Sequence, residues 1–165
     1  MKPKIIIVGL GTGSHDELTL GALQALEQAE QVILRTGKHG IALYLQERGM
    51  EFSTLDDIYE TSETFDGLYP EMIKRIAAAA EQGDVVVGVP GHPMVGERLT
   101  YELLNKLGRT AYQIDILPGI SQAYSFLAAI AKGGVEGLKI FSAAELPWSQ
   151  LDPGLPCVIT GLDNE

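Results

Sequence analysis

The sequence predicts an α/β domain built on a mostly parallel sheet, followed by the beginning of a second α/β unit. Three observations predict it. Short continuous apolar runs, Ile5 to Val8 and Val85 to Val89, read as strands buried on both faces. Stretches with apolar residues at helical spacing alternate with them. Loops rich in glycine or proline follow the strands, at the edge where an open parallel sheet gathers its ligands.

The elements follow in order. Ile5 to Val8 is a strand, and Gly9-Leu10-Gly11-Thr12-Gly13 is the loop after it. Leu18, Ala22, Leu23, Leu26 and Ala29 trace a helical face, and Gln31 to Leu34 is the second strand. Ile41 and Leu45 mark a short helix that stops near Gly49, a good C-cap. Ser53 to Phe65 is acidic and aperiodic, so it reads as a loop with room for one helical turn. Leu68, Met72, Ile73, Ile76, Ala77 and Ala80 form one face of a helix closed by Gly83. The Val85 to Val89 strand ends in Pro90-Gly91-His92-Pro93, which cannot continue a sheet interior. Val95, Leu99, Leu103, Leu104 and Leu107 give the next helix, stopped at Gly108. Ala111 to Ile116 is a strand broken by Pro118-Gly119, and Ser121 to Lys132 is helical. Leu138 to Ser142 and Pro156 to Thr160 read as two further strands. The break near Leu117 assigns residues 1–117 to the first domain and 118–165 to the start of a second.

Composition narrows the function. With 45 % apolar and 21 % charged residues the chain is globular rather than disordered. No apolar run approaches the roughly 20 residues of a membrane span, and none resembles a secretory h-region. The expected location is the cytoplasm. The single cysteine, Cys157, excludes an internal disulfide and a multi-cysteine metal site. Its apolar neighbours make it read as a small buried hydrophobe. A net charge of −10 with scattered Lys and Arg argues against nucleic acid and suits a cationic ligand such as a sulfonium.

The Gly9 to Gly13 loop is either a ligand-facing loop or a tight turn. A nicotinamide site fits poorly: the spaced glycine pattern needs Gly or Ala at Ser14, and Arg35-Thr36 stands where the ribose acid belongs. Arginine there suits a 2′-phosphate, which leaves an NADP-dependent reductase as an alternative. No Walker lysine and no Gly-x-Ser-x-Gly elbow occurs. His15, His39 and His92 lack metal-ligand spacing, so no metal is expected. His92 has three readings: a base, a ligand contact or a cap. Ser121 is either an N-cap or a functional group. Arg35, Lys38 and His39 form a basic cluster for one acceptor carboxylate, or else a solvated loop.

Taken together the loops resemble those of the tetrapyrrole methylases, and more narrowly the methylase-like domain fused to MazG nucleotide pyrophosphohydrolases. The likeness lies in Ile7 to Gly13 with Leu18 to Leu23, in Leu34 to His39, in Val89 to Arg98 and in Leu117 to Ser121. Leu151-Asp152-Pro153 and Leu155 to Thr160 add to the narrower match. Many relatives carry Gly-Asp-Pro where this chain has Gly91-His92-Pro93. The resemblance implies two α/β domains with S-adenosylmethionine between them. It implies cofactor contacts at Gly91, His92, Val95, Ile120, Ser121, Gly161 and Leu162. Gly9, Gly11, Thr12, Gly13, Arg35, Lys38 and His39 then face a small-molecule acceptor of tetrapyrrole kind. A catalytic base, if the acceptor needs one, is first sought at His92. The resemblance also implies a homodimer, a second domain that this chain does not complete, and a fused or associated MazG domain. Two function classes follow: a methyltransferase, and a non-catalytic S-adenosylmethionine-sensing module.

Overall fold

The computed structural model describes residues 2–61, 65–108, 111–133, 135, 137–143 and 154–161. Five parallel strands form the main sheet: β1 (Lys4–Gly9), β2 (Gln31–Leu34), β3 (Ser53–Thr54), β4 (Val85–Val89) and β5 (Gln113–Leu117), in the order β3-β2-β4-β1-β5. The α/β fold with a parallel sheet is as the apolar runs predict.

Alternation along the central strands builds two cores. Ile5, Ile7, Val85, Val87 and Val89 face α3 (Asp56–Thr61), α4 (Phe65–Ala80) and α5 (Arg98–Lys106). Val8, Val32, Leu34 and Val86 face α1 (Leu20–Gln28) and α2 (Gly40–Glu47). All five residues of β4 are buried, which explains a run with no polar position. Each such side chain is worth roughly 1.5–3 kcal/mol when removed from water. Side-chain caps set the helix starts. Thr19 accepts from Ala22 N, Glu97 from Leu99 N and Ser121 from Ala123 N.

Beyond the sheet, α6 (Gln122–Ala129) packs against β7 (Cys157–Thr160), which pairs in parallel with β6 (Lys139–Ser142). The expected Leu151-Asp152-Pro153 match and Leu162 lie outside the described residues. Among the described residues, no helix is long and apolar enough to cross a membrane.

Several boundaries differ from the sequence reading. The aperiodic stretch from Ser53 holds both β3 and α3. β3 is two residues long, too short for a period, and α3 is fixed by burial of Leu55 and Ile58 rather than by a repeating pattern. Asp56 and Asp57 favour its first turn through the helix dipole. Val95 lies outside α5, because Glu97 caps the helix and ends the preceding loop. α1 begins at Leu20, after a 3-10 turn over His15–Glu17. Cys157 is exposed, not buried. In β7 it is Val158 that turns inward, so period-2 alternation sends Cys157 and Ile159 to the open face.

Candidate functional site

Parallel strands share polarity, so the loops after β1, β2, β4 and β5 meet at one sheet edge. Glycine lets three of them interlock. Gly91 N donates to Gly11 O at 2.7 Å and Gly11 N donates to Gly91 O at 3.3 Å, an antiparallel bridge between two loops. A Cβ on Gly9 would stand 2.5 Å from both Gly119 Cα and Gly91 O. Gly91 has φ +69°, a conformation open to glycine at little cost. The first loop also meets α2, since a Cβ on Gly40 would collide with the Gly13 carbonyl.

Beside this interlock lies a cleft of about 960 Å³, walled by the loop after β4, the start of α6 and the end of β7. That volume suits a ligand of nucleoside size. Gly91, Val95, Ser121 and Gly161 line it. Three glycines on its walls, Gly91, Gly96 and Gly161, hold φ values of +69°, +67° and +70° and expose main chain to the cavity. His92 and Ile120 are not among the lining residues. His92 closes its own turn, with Nδ1 accepting from Met94 N at 3.0 Å. A smaller hollow of about 490 Å³ runs along Phe126 and the β7 residues.

Gly9, Gly11, Thr12, Gly13, Lys38 and His39 are not among the residues that line the cleft. Thr12 donates through both its N–H and its hydroxyl to Glu17 Oε2, and Ser125 Oγ donates to Glu17 Oε1 at 2.8 Å. Glu17 thereby ties the first loop to α6. His39 Nε2 lies 3.2 Å from Gly11 O, while Nδ1 faces Ile41 N at 3.4 Å and caps α2. Donation through Nε2 and acceptance through Nδ1 require the neutral ring. Burial pushes its pKa below the ordinary value, against the Gly11 carbonyl, which pulls it up.

Arg35, Lys38 and His39 do not form one cluster. Lys38 is exposed, and Arg35 turns into the cleft. Arg35 Nη1 donates to Glu97 Oε2 at 2.7 Å, and Nε donates to Tyr59 OH at 2.9 Å. Burial opposes the Arg35 charge, but Glu97 and Tyr59 outweigh it and raise the pKa further. Tyr59, Tyr69, Glu97, Arg98 and Tyr101 complete this wall. Sequence reasoning gave none of these five a site role. Arg35 and Glu97 lie 62 positions apart, and no local pattern announces their pairing.

Residues 4–150 match the family model for tetrapyrrole (corrin/porphyrin) methylases. The chain is 31 % identical over 152 residues to the uncharacterized protein YabN of Bacillus subtilis, covering 92 % of this chain and 31 % of that protein. It is 26 % identical over 129 residues to a cobalt-precorrin-4 C(11)-methyltransferase of Methanocaldococcus jannaschii, covering 77 % of this chain and 46 % of that protein. The uroporphyrin-III-C-methyltransferase of Thermus thermophilus superposes with a TM-score of 0.65 at 28 % identity, over 89 % of this chain and 64 % of that one. The chain thus spans about a third of YabN and under two thirds of the Thermus enzyme. With its sheet, its loops and nearly its whole length accounted for in this way, the chain belongs to the tetrapyrrole methylase family.

Proposed function

We propose that the chain binds S-adenosylmethionine in the cleft and forms part of a methyltransferase that acts on a small molecule of tetrapyrrole type. The observation that carries this reading is the Gly9–Gly91–Gly119 interlock, which seats the loop after β4 opposite the start of α6 with main chain turned toward the cavity. Methyltransferases among the relatives support it. The division between first and second domain is proposed at residues 117 and 118, and the protein is placed in the cytoplasm as a homodimer. Exposed Tyr124 and Phe126 on α6, with Ile130 just after it, support an interface between copies.

The residues present fit the cofactor. Gly91, Gly96 and Gly161 bring backbone close to a ligand, and Val95 offers an apolar wall. Ile120 and Leu162, which flank these positions, complete the proposed contacts. Bound there, S-adenosylmethionine supplies a methyl group already activated on a sulfonium. The protein's own task is alignment, a contribution that reaches roughly 7–11 kcal/mol when donor and acceptor are held in line. Ser121 gives its hydroxyl to the α6 cap, and His92 gives Nδ1 to Met94. We therefore assign His92 to shaping the loop, with general-base duty reserved for an acceptor that must lose a proton. Gly9, Gly11, Thr12 and Gly13, with Lys38 and His39, form the proposed acceptor side.

A sensing role beside a MazG-type pyrophosphohydrolase is the second reading. The Gly91-His92-Pro93 form of the loop, which the resemblance ties to the MazG-fused group, favours it. Calorimetry with S-adenosylhomocysteine tests the common core of both readings. Micromolar binding with no response to NADPH is expected, and the reverse pattern overturns the assignment. Turnover assays with carboxylated tetrapyrroles then separate enzyme from sensor.

A further inference from the structure

Arg35 is the first residue after β2, and its backbone N–H is pinned to Gly88 O at 2.8 Å. Its guanidinium is largely enclosed, with 28 % of the side chain exposed. Glu97 is a fixed strut rather than a mobile partner. Its side chain is 3 % exposed, Oε2 accepts Arg35, and Oε1 accepts Leu99 N at the start of α5. Tyr59 OH holds Nε from the other side. Two of the three guanidinium nitrogens are thus committed, while Nη2 makes no hydrogen bond among the described residues. A planar fork held this firmly loses little freedom when it takes one more acceptor.

The charges around the cleft indicate which acceptor that is. Its walls carry two cations, Arg35 and Arg98, and two carboxylates, Glu97 and Glu102. A wall with no net charge offers a polyanion no net attraction and suits a zwitterion, whose two charges meet both signs on it. Arg35 also shares its cavity with Gly91, Val95, Ser121 and Gly161, not with the Gly9 to Gly13 loop.

We propose that Arg35 is the carboxylate anchor of the cleft and holds the α-amino-acid end of S-adenosylmethionine, with Glu97 as the residue that positions it. The proposal rests on the methyltransferase reading above. Two probes separate them: S-adenosylhomocysteine carries the amino-acid end, and 5′-methylthioadenosine lacks it.

Calorimetry of the wild type and of Arg35→Gln with both probes is the test. Arg35→Gln should weaken S-adenosylhomocysteine on the order of ten-fold, the value of one hydrogen bond to a charged group, and leave 5′-methylthioadenosine unchanged. That variant strands a buried Glu97, so the pair Arg35→Gln with Glu97→Gln is measured beside it to remove the lone charge. The double variant should give the same selective loss, and it decides the matter if the single one fails to fold. Unchanged S-adenosylhomocysteine affinity, or equal weakening of both probes, overturns the anchor. A wild type that binds neither probe overturns the methyltransferase reading itself, and the anchor with it.

Discussion

A side chain on Gly9 would put its first carbon 2.5 Å from the Cα of Gly119, closer than real Cβ atoms approach a backbone. Both neighbours are main chain, so neither can rotate away. Gly9→Ala is therefore expected to destabilise the fold by about 1–3 kcal/mol or more through overpacking. Gly21→Ala is the control. Gly21 sits in α1 with nothing within 4 Å of its added carbon, and alanine there should stabilise by about 0.4–1 kcal/mol. Chemical denaturation of the two variants checks both signs, and a Gly9→Ala midpoint equal to wild type would contradict the interlock.

Gly91 poses a different constraint. A Cβ there would meet only Gln122 N at 3.8 Å and Ser121 Cα at 3.9 Å, so there is room for it, but φ is +69°. Gly91→Val should cost about 1–3 kcal/mol in backbone strain. Gly91→Asn should cost less, because asparagine tolerates the left-handed region. Both are expected to lose S-adenosylhomocysteine affinity, since either side chain projects toward the mouth of α6. Native affinity in a folded Gly91→Asn protein would remove this loop from the cofactor wall.

The third expectation concerns pH. Burial lowers the His39 pKa in the folded state below the unfolded value of about 6.5, with the Gly11 carbonyl opposing. Unfolded chains therefore take up a proton first as pH falls. The contribution of His39 is intact above pH ~6.5 and is lost as pH drops from there through the folded pKa. His39→Asn keeps a side-chain cap for α2 and abolishes the titration. Melting temperatures between pH 8 and 5 should show the wild type losing its margin over this variant on acidification. A constant difference across that range would argue against a neutral, half-buried ring.

Cys157 provides a simple fourth check. Its thiol is exposed on the open face of β7. One thiol per chain should react with Ellman's reagent without denaturant. Reaction only after unfolding would mean that this face is covered.

The sheet was legible because its central strands are buried on both sides, which leaves unbroken apolar runs such as Ile5 to Val8. β3 and α3 were not, because two paired residues and a six-residue helix are held by tertiary burial and carry no period. Glycine spacing located the loops after β1, β4 and β5. It said nothing of which backbone each glycine accommodates, because Gly9 and Gly119 meet across 110 positions of sequence. Arg35 was read as part of a basic cluster with Lys38 and His39, since neighbours in sequence look alike on paper. The buried Glu97 turns it the other way.

The interlock of Gly9, Gly91 and Gly119 also determines where a ligand must meet conformational cost. Three loops locked backbone to backbone have little freedom left to lose, so the floor of the cleft is preorganised before anything enters. Thr160 and Gly161, at the end of β7, line the cleft without belonging to that lock. Substitutions behind the floor, at Gly9 or Gly119, will act on whether the protein folds, while those on its lining, at Gly91, will act on what it holds.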